Sequence, residues 1–202
     1  MSSSATTTTD QRRARGDRTR QAVLGIAVDL GSREGLEALT FGRLASDATV
    51  SKSGLFAHFG SKENLQLATV EAAREVFIAE VVDAATQVEP GLPRLRATLD
   101  AWLSYFRRDV FPGGCFFQAA SLEFDGRPGP VQDRVIEIMR EWLALLEALA
   151  RAAGPSAVSP EQLAFELNAI GMATNWQRQL LGDDRAVERA AEAFDRLIAR
   201  SI

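Results

Sequence analysis

The run Ser51-Lys52-Ser53-Gly54, followed by Phe56 and His58, sets two hydroxyls and a cation at the start of a short apolar segment that ends in an aromatic and an imidazole. Small polar side chains at the N-terminus of a helix can exchange hydrogen bonds with base edges, and a lysine among them can neutralise phosphate. Lys62 places a second cation in the first turn of the next helical segment. Positive charge gains nothing there from the helix macrodipole, so a phosphate partner explains it better than helix stability does. Hydrolytic and redox chemistry lack their usual residues. The one histidine, His58, and the one cysteine, Cys115, stand 57 positions apart. There is no Gly-x-Ser-x-Gly, no phosphate-binding glycine loop and no carboxylate pair at a diagnostic spacing. No Cys, Asp or Glu cluster surrounds His58 at metal-ligand spacing. The expectation is no catalytic residue, no metal and no cofactor.

Charge supports the same division of labour. The 202 residues carry a formal net charge of −4, yet residues 1–62 hold nine Lys/Arg against six Asp/Glu, a balance of +3, and the remainder sums to −7. Only the N-terminal part is suited to a polyanion. No apolar run reaches the ~18 residues that cross a bilayer. The Ser/Thr-rich start, Met1 to Asp10, lacks the apolar segment of a secretory signal. A lone cysteine fits a reducing compartment, so a cytoplasmic protein without membrane contact is expected.

The elements that must position these residues are helices. Apolar residues recur with a helical period almost throughout and no stretch alternates as a strand does, so the class is all-α. Residues 1–17 read as a flexible basic arm. Thr19 is expected to cap a first helix with Val23, Ile26, Ala27 and Leu30 on one face, ending near Ser32. Thr40 caps a short helix carrying Phe41, Leu44, Ala45 and Ala48. After Thr49-Val50, a second short helix runs to Phe59 and stops at Gly60. Ser61 caps a helix expected to continue to about Gln87. Longer segments follow over 93–110, 115–124, 131–153, 159–181 and 184–200, separated by Pro/Gly punctuation, with the 131–153 helix central. Two short helices joined by a tight turn and braced on both sides form the arrangement that presents one helix to a DNA major groove.

The residues Thr40-Phe41-Gly42-Arg43-Leu44-Ala45, Val50-Ser51-Lys52-Ser53-Gly54-Leu55-Phe56-Ala57-His58-Phe59 and Ser61-Lys62-Glu63-Asn64-Leu65 resemble the tetracycline-repressor (TetR) family over about residues 20–67. By that resemblance Thr40 and Lys62 hold phosphates, Phe56 and His58 press against the DNA backbone, and Ser51, Lys52 and Ser53 approach bases. Arg43 and Gly54 complete the implied DNA-contacting set. The sequence departs from the family pattern at three points: Thr49 where glycine is common in the turn, Gly42 where an arginine is frequent, and Phe56 where tyrosine is common. Thr49 fits if the turn relaxes its need for a positive φ. Gly42 has no side chain to reach DNA, and the arginines between Arg12 and Arg20 are candidates to compensate by entering the minor groove.

The same resemblance implies that residues 18–63 form the DNA-binding domain and 64–202 a helical effector-binding and dimerisation domain. The partners implied are palindromic operator DNA, a second copy of the chain and a small effector that releases it from DNA. Dimerisation is expected through 159–181 and 184–200, where Leu167, Ala169, Ile170, Gly171, Ala173, Trp176 and Leu180, then Phe194, Leu197 and Ile198, offer apolar strips. An apolar or aromatic effector is expected among Trp102, Phe106, Phe116, Phe117, Met139, Trp142 and Trp176. Two alternatives stand beside this reading. Cys115 follows Gly113-Gly114 at the start of a helix, a location that lowers a thiol pKa and suits an electrophile- or redox-sensing repressor. A helical protein-interaction module without DNA binding is the other.

Overall fold

A computed structural model describes the backbone from Ser4 and the side chains from Ala14 to the C-terminus. Among the described residues there are nine α-helices and no strand: α1 Ser4–Glu34, α2 Phe41–Asp47, α3 Lys52–Phe59, α4 Lys62–Phe77, α5 Leu92–Arg107, α6 Phe116–Phe124, α7 Pro130–Ala152, α8 Pro160–Leu181 and α9 Ala186–Ser201. The all-α expectation holds. No helix among the described residues is long and apolar enough to cross a membrane.

Local chemistry sets most boundaries. Thr40, Ser51 and Ser61 each accept a hydrogen bond from the backbone N–H three residues on, at 3.2, 3.0 and 3.0 Å, so three hydroxyl caps start α2, α3 and α4. Each such cap contributes about 1 kcal/mol. Gly60 ends α3 at φ +74, and Gly182 ends α8 in the left-handed region. Val23, Ala27, Leu36, Leu39, Leu44, Leu55, Phe59 and Leu65 are all buried and fix the crossing of α1 to α4. Removing one of these leucine side chains to alanine costs about 2–5 kcal/mol. In the larger half, α7 packs against α4, α5, α6 and α8, the central place its broad apolar face implies.

Three expectations need correction. Helix α1 begins at Ser4, not at Thr19, and Thr19 Oγ1 donates to the Arg15 carbonyl within the helix at 3.0 Å instead of capping it. Nothing in that stretch forbids helix: it contains one glycine, no proline and several good helix formers. Residues 4–17, read as an arm, are therefore part of α1, while Met1 to Ser3 and the side chains of Arg12 and Arg13 lie outside the described residues. Helix α4 does not run unchanged to Gln87: it passes into a π-helical turn over Ile78–Val82 and a 3-10 turn over Asp83–Ala85. Finally, the α2–α3 turn keeps its left-handed residue, because Thr49 sits at φ +54.

A β-branched side chain in that region is strained by about 1–2 kcal/mol. Thr49→Gly is expected to raise the unfolding midpoint by roughly 2–4 °C, equivalent to about 1 kcal/mol at this chain length, in thermal unfolding followed by circular dichroism. A lowered midpoint would mean that the threonine makes a compensating contact.

Candidate functional site

The N-terminal end of α3 is presented outward. Ser51, Lys52 and Ser53 are exposed, Leu55 and Phe59 on the opposite face are buried, and Gly54 is half-buried. Ser51 has a structural task besides any contact it makes, since its hydroxyl caps α3 at Gly54 N. A Cβ at position 54 would lie 2.9 Å from Ser51 Oγ, so the glycine keeps that cap open. Phe56 is 58% exposed and meets Phe41 edge-on at 5.6 Å, which leaves much of its ring on the surface. His58 is exposed at the far end of α3, beside α1: a Cβ on Gly16 would be 3.7 Å from its Cε1. The Arg20 guanidinium lies 5.3 Å over the neighbouring Phe59 ring.

The cations are less free than their spacing implies. Lys62 Nζ donates to the Glu37 carbonyl at 2.7 Å and to its carboxylate at 2.9 Å. Hydrogen bonds from Lys62 and Gln66 hold the Glu37 carboxyl below its ordinary range. Arg43 donates to Asp47 at 3.0 Å and to Glu34 at 3.2 Å, and these carboxylates raise its pKa, Asp47 most. Among the described residues Lys52 has no carboxylate partner within ion-pair distance. Thr40 is exposed at the head of α2, its hydroxyl spent on the Arg43 N–H. The carboxylates Glu34, Glu37 and Asp47 are the site residues that the sequence motif did not single out.

A cavity of ≈ 200 Å³ lies in the larger half, walled by α4 and its π turn, α5, α6, α7 and α8. Trp102, Phe106, Phe117, Met139 and Trp142 line it, as expected, together with Phe77, Ile78, Ile138 and Met172. Two of the expected residues do not. Phe116 is buried in core packing against Phe111 and Phe117, on the side facing α1. Trp176 is 49% exposed on the outer face of α8. Helical spacing identified the aromatic residues but not which side of α6 and α8 turns inward.

Cys115 also borders the cavity, and its thiol is displaced opposite to the expectation. Burial pushes its pKa up, against weaker opposing help from the Gln118 and Phe117 backbone and the Tyr105 hydroxyl. The helix-start amides do lower the thiol pKa, but burial outweighs them.

Comparison with known proteins agrees with this geometry. Residues 24–69 match the family model described as bacterial regulatory proteins, tetR family, and residues 91–194 match the one described as tetracyclin repressor-like, C-terminal domain. No curated protein matches the chain. Among solved structures, a TetR transcriptional regulator from Chloroflexus aurantiacus superposes with a TM-score of 0.84 at 23% identity, covering 93% of this chain and 97% of that one. A TetR-family transcriptional regulator from Streptomyces coelicolor gives 0.78 at 22% identity, covering 91% and 95%. A TetR-family regulator from Agrobacterium tumefaciens gives 0.80 at 17% identity, covering 93% and 100%. At these identities the superpositions establish the fold.

Two measurements test the site. Lys62→Ala is expected to weaken DNA binding about tenfold and to reduce the slope of log K against log salt by about one. Glu37→Gln, which removes the carboxylate that competes for Lys62, is expected to tighten it several-fold; unchanged affinity in both variants would exclude Lys62 as a phosphate ligand. The pH sense follows from the lowered Glu37 pKa: its tether to Lys62 is fully present above the ordinary carboxylate range and is lost as pH falls through the lower folded value. For Cys115, a thiol-reactive dye is expected to label the native protein much more slowly than the urea-unfolded chain.

Proposed function

This chain belongs to the TetR family of DNA-binding transcriptional regulators, and on that premise we propose that it is a repressor which binds a palindromic operator as a dimer and is released by a small apolar effector. The observation that carries the DNA half of this reading is the outward N-terminus of α3. It is an exposed Ser51-Lys52-Ser53 edge, capped at its first turn and backed by a buried Leu55 and Phe59, with Lys62 in the first turn of the following helix. In this reading residues 18–63 act as the DNA-binding unit and 64–202 as the effector-binding and dimerisation body. Ser51, Lys52 and Ser53 meet bases; Thr40, Arg43 and Lys62 meet phosphates.

The outer face of α8 supports dimerisation. Phe165, Ala169, Ala173, Trp176 and Leu180 recur at intervals of three or four residues and are all exposed, with the two alanines at the middle where helices must approach most closely. The strip expected on the last helix contributes nothing to that face: Phe194, Leu197 and Ile198 of α9 are buried within their own protomer, as are Leu167 and Gly171 of α8. A two-fold axis through α8 gives a self-complementary contact, and the two recognition helices then need a separation of about 34 Å to enter successive major grooves.

Effector control follows from the sharing of α4. Its first turn holds Lys62, and its later turns supply Arg74, Phe77, Ile78 and Val82 to the cavity wall. A ligand that favours a different seating of α4 shifts the population away from the spacing that DNA requires. The buried, raised Cys115 thiol weighs against a thiol-sensing repressor, and family membership weighs against an interaction module.

Fluorescence-anisotropy titration against duplexes tiled across the flanks of its own gene, at two salt concentrations, is expected to find one roughly palindromic segment bound tightly and with strong salt sensitivity. Equal binding to every duplex would overturn the operator reading. Trp176→Glu is expected to give a monomer by analytical ultracentrifugation and to weaken operator binding at least a hundredfold. A dimer that persists in this variant would move the interface off α8.

A further inference from the structure

A second cavity, of ≈ 320 Å³, follows the first along the same three walls. Met139 and Trp142 of α7 line the first, and Ala148 and Ala152 of the same helix line the second. The other walls change over in the same order: Ile78 gives way to Thr86 beyond the π turn, and Phe106 gives way to Thr98 and Arg94 on α5. Helix α5 packs on both α7 and the π turn, so the three walls run side by side. Leu145 and Val82 line both cavities and stand between them, each only half-buried. Side chains that are not fully packed change rotamer quickly, so a ligand can part these two. Met139 to Ala152 spans about 20 Å of helix, room for an extended molecule and not only a compact one.

The two ends differ in chemistry. Buried Phe77, Phe117 and Trp142 wall the first cavity, and its one cation, Arg74, is paired with Glu141 at 2.7 Å. An ionised group there would lose its hydration and meet no free counter-charge. The second cavity opens to solvent along Thr86, Pro90, Ala148 and Ala152, all exposed. Its one charged wall residue is Arg94. Nε and Nη2 of Arg94 donate to the Val88 carbonyl at 3.0 and 2.9 Å, and Nη2 also donates to the Thr86 carbonyl at 3.3 Å. These bonds fix the guanidinium and leave Nη1 unengaged, and among the described residues no carboxylate stands within ion-pair distance of it. A held guanidinium without a counter-ion, at a wet opening between apolar walls, favours a carboxylate, which it meets with charge-assisted bonds.

We propose that the two cavities form one channel for a linear monocarboxylate, with its carboxylate at Arg94 and its alkyl tail passing Val82 and Leu145 to end among Phe77, Phe117 and Trp142. The inference rests on the reading of the first cavity as the effector site and adds the ligand's shape and its head group. Affinity comes from methylenes leaving water, and direction comes from the cation at the open end. A chain too short to pass Leu145 binds weakly, and one without the carboxylate loses the contact that orients it.

Calorimetric titration of the full chain near neutral pH with hexanoate, octanoate, decanoate and dodecanoate tests the length. Affinity is expected to rise roughly fourfold per methylene across the series. Decanoate is expected to bind about tenfold more tightly than decanol, and decyltrimethylammonium not to bind. Arg94→Gln should abolish the preference for decanoate over decanol, and Leu145→Trp should stop the rise at the shorter chains. Bromine quenches tryptophan fluorescence on contact, so ω-bromododecanoate should quench the indoles of the first cavity and α-bromododecanoate should not. Affinity that stops rising at hexanoate in the wild-type protein overturns the proposal. Equal affinity for decanoate and decanol, binding of the cation, or stronger quenching by the α-bromo acid does the same. The wild-type comparisons decide even where a variant does not fold. No DNA is present in these titrations: decanoate that binds yet leaves an operator complex intact sustains this proposal and overturns effector control, while failure of the chain series overturns this proposal and leaves operator binding standing.

Discussion

The backbone of Gly113 lies so close to the end of α1 that a Cβ there would stand 1.9 Å from the Ser32 carbonyl oxygen. That approach, with Gly113 N donating to Ser32 Oγ at 3.1 Å, joins the DNA-binding half to the body. The next residue, Gly114, at φ +85, lies against side chains of α8, where a Cβ would fall 2.5 Å from Gln179 Cγ. Cys115 N then donates to Asn175 Oδ1 at 2.8 Å. One tight loop is thus fastened on one side to the helix that braces the recognition helix, and on the other to the helix with the exposed apolar stripe. Any larger residue at Gly113 meets backbone and must push α1 away, whereas one at Gly114 must displace the Gln179 and Asn175 side chains.

A second fastening runs parallel to it. The Glu123 carboxylate on α6 accepts from the Leu36 and Glu37 N–H groups at 2.7 and 2.8 Å, closing the exposed donors of the short turn that leads into α2. Gln66 on α4 donates to the Leu36 carbonyl and to the Glu37 carboxylate, both at 3.0 Å, and Glu37 in turn grips Lys62. Helix α6, which carries Phe117 and Gln118 on the cavity, therefore reaches the candidate phosphate ligand through a short chain of charge-assisted bonds. With α4 itself, the cavity has two contiguous routes to the recognition helix. The π turn at Ile78–Val82 lies where α4 passes the cavity, and such turns occur frequently at functional sites.

How much of this was legible in the sequence depended on range. The hydroxyl caps at Thr40, Ser51 and Ser61 and the stop at Gly60 are contacts over three or four residues, so their spacing announced the starts of α2, α3 and α4 and the end of α3. The aromatic period along 93–110 and 131–153 likewise located part of the cavity wall, Trp102, Phe106, Met139 and Trp142. Long-range contacts left no such trace. Gly113-Gly114 reads as ordinary punctuation, and only the fold reveals that two helices close on it. Glu37 and Glu123 look like solvated surface charges until Lys62 and the Leu36 amide are brought beside them. Cys115 shows the same limit from the other side: its position after two glycines is a local signal for an activated thiol, but Tyr105, Phe117 and α8 bury it, and burial wins.

The strained turn at Thr49 and the neutralised cations point to one design. A recognition helix capped by Ser51, set between two helices capped by Thr40 and Ser61 and packed on a Leu44–Leu55–Phe59 core, is held in order, so on the proposed reading its affinity for DNA is limited by something else. The carboxylates provide that limit. In the proposed reading, Glu37 on Lys62, and Glu34 with Asp47 on Arg43, mean that each phosphate contact exchanges an internal ion pair for an external one, and exposed pairs of this kind differ little in free energy. Lys52 has no such partner among the described residues, and in the proposed reading it supplies unopposed attraction at the base-reading end. On that reading non-specific phosphate binding is held down while contacts at the groove floor keep their full weight. A regulator proposed to be displaced by a small ligand has reason to be built this way, because one cavity of this size can supply only a few kcal/mol of difference between two states.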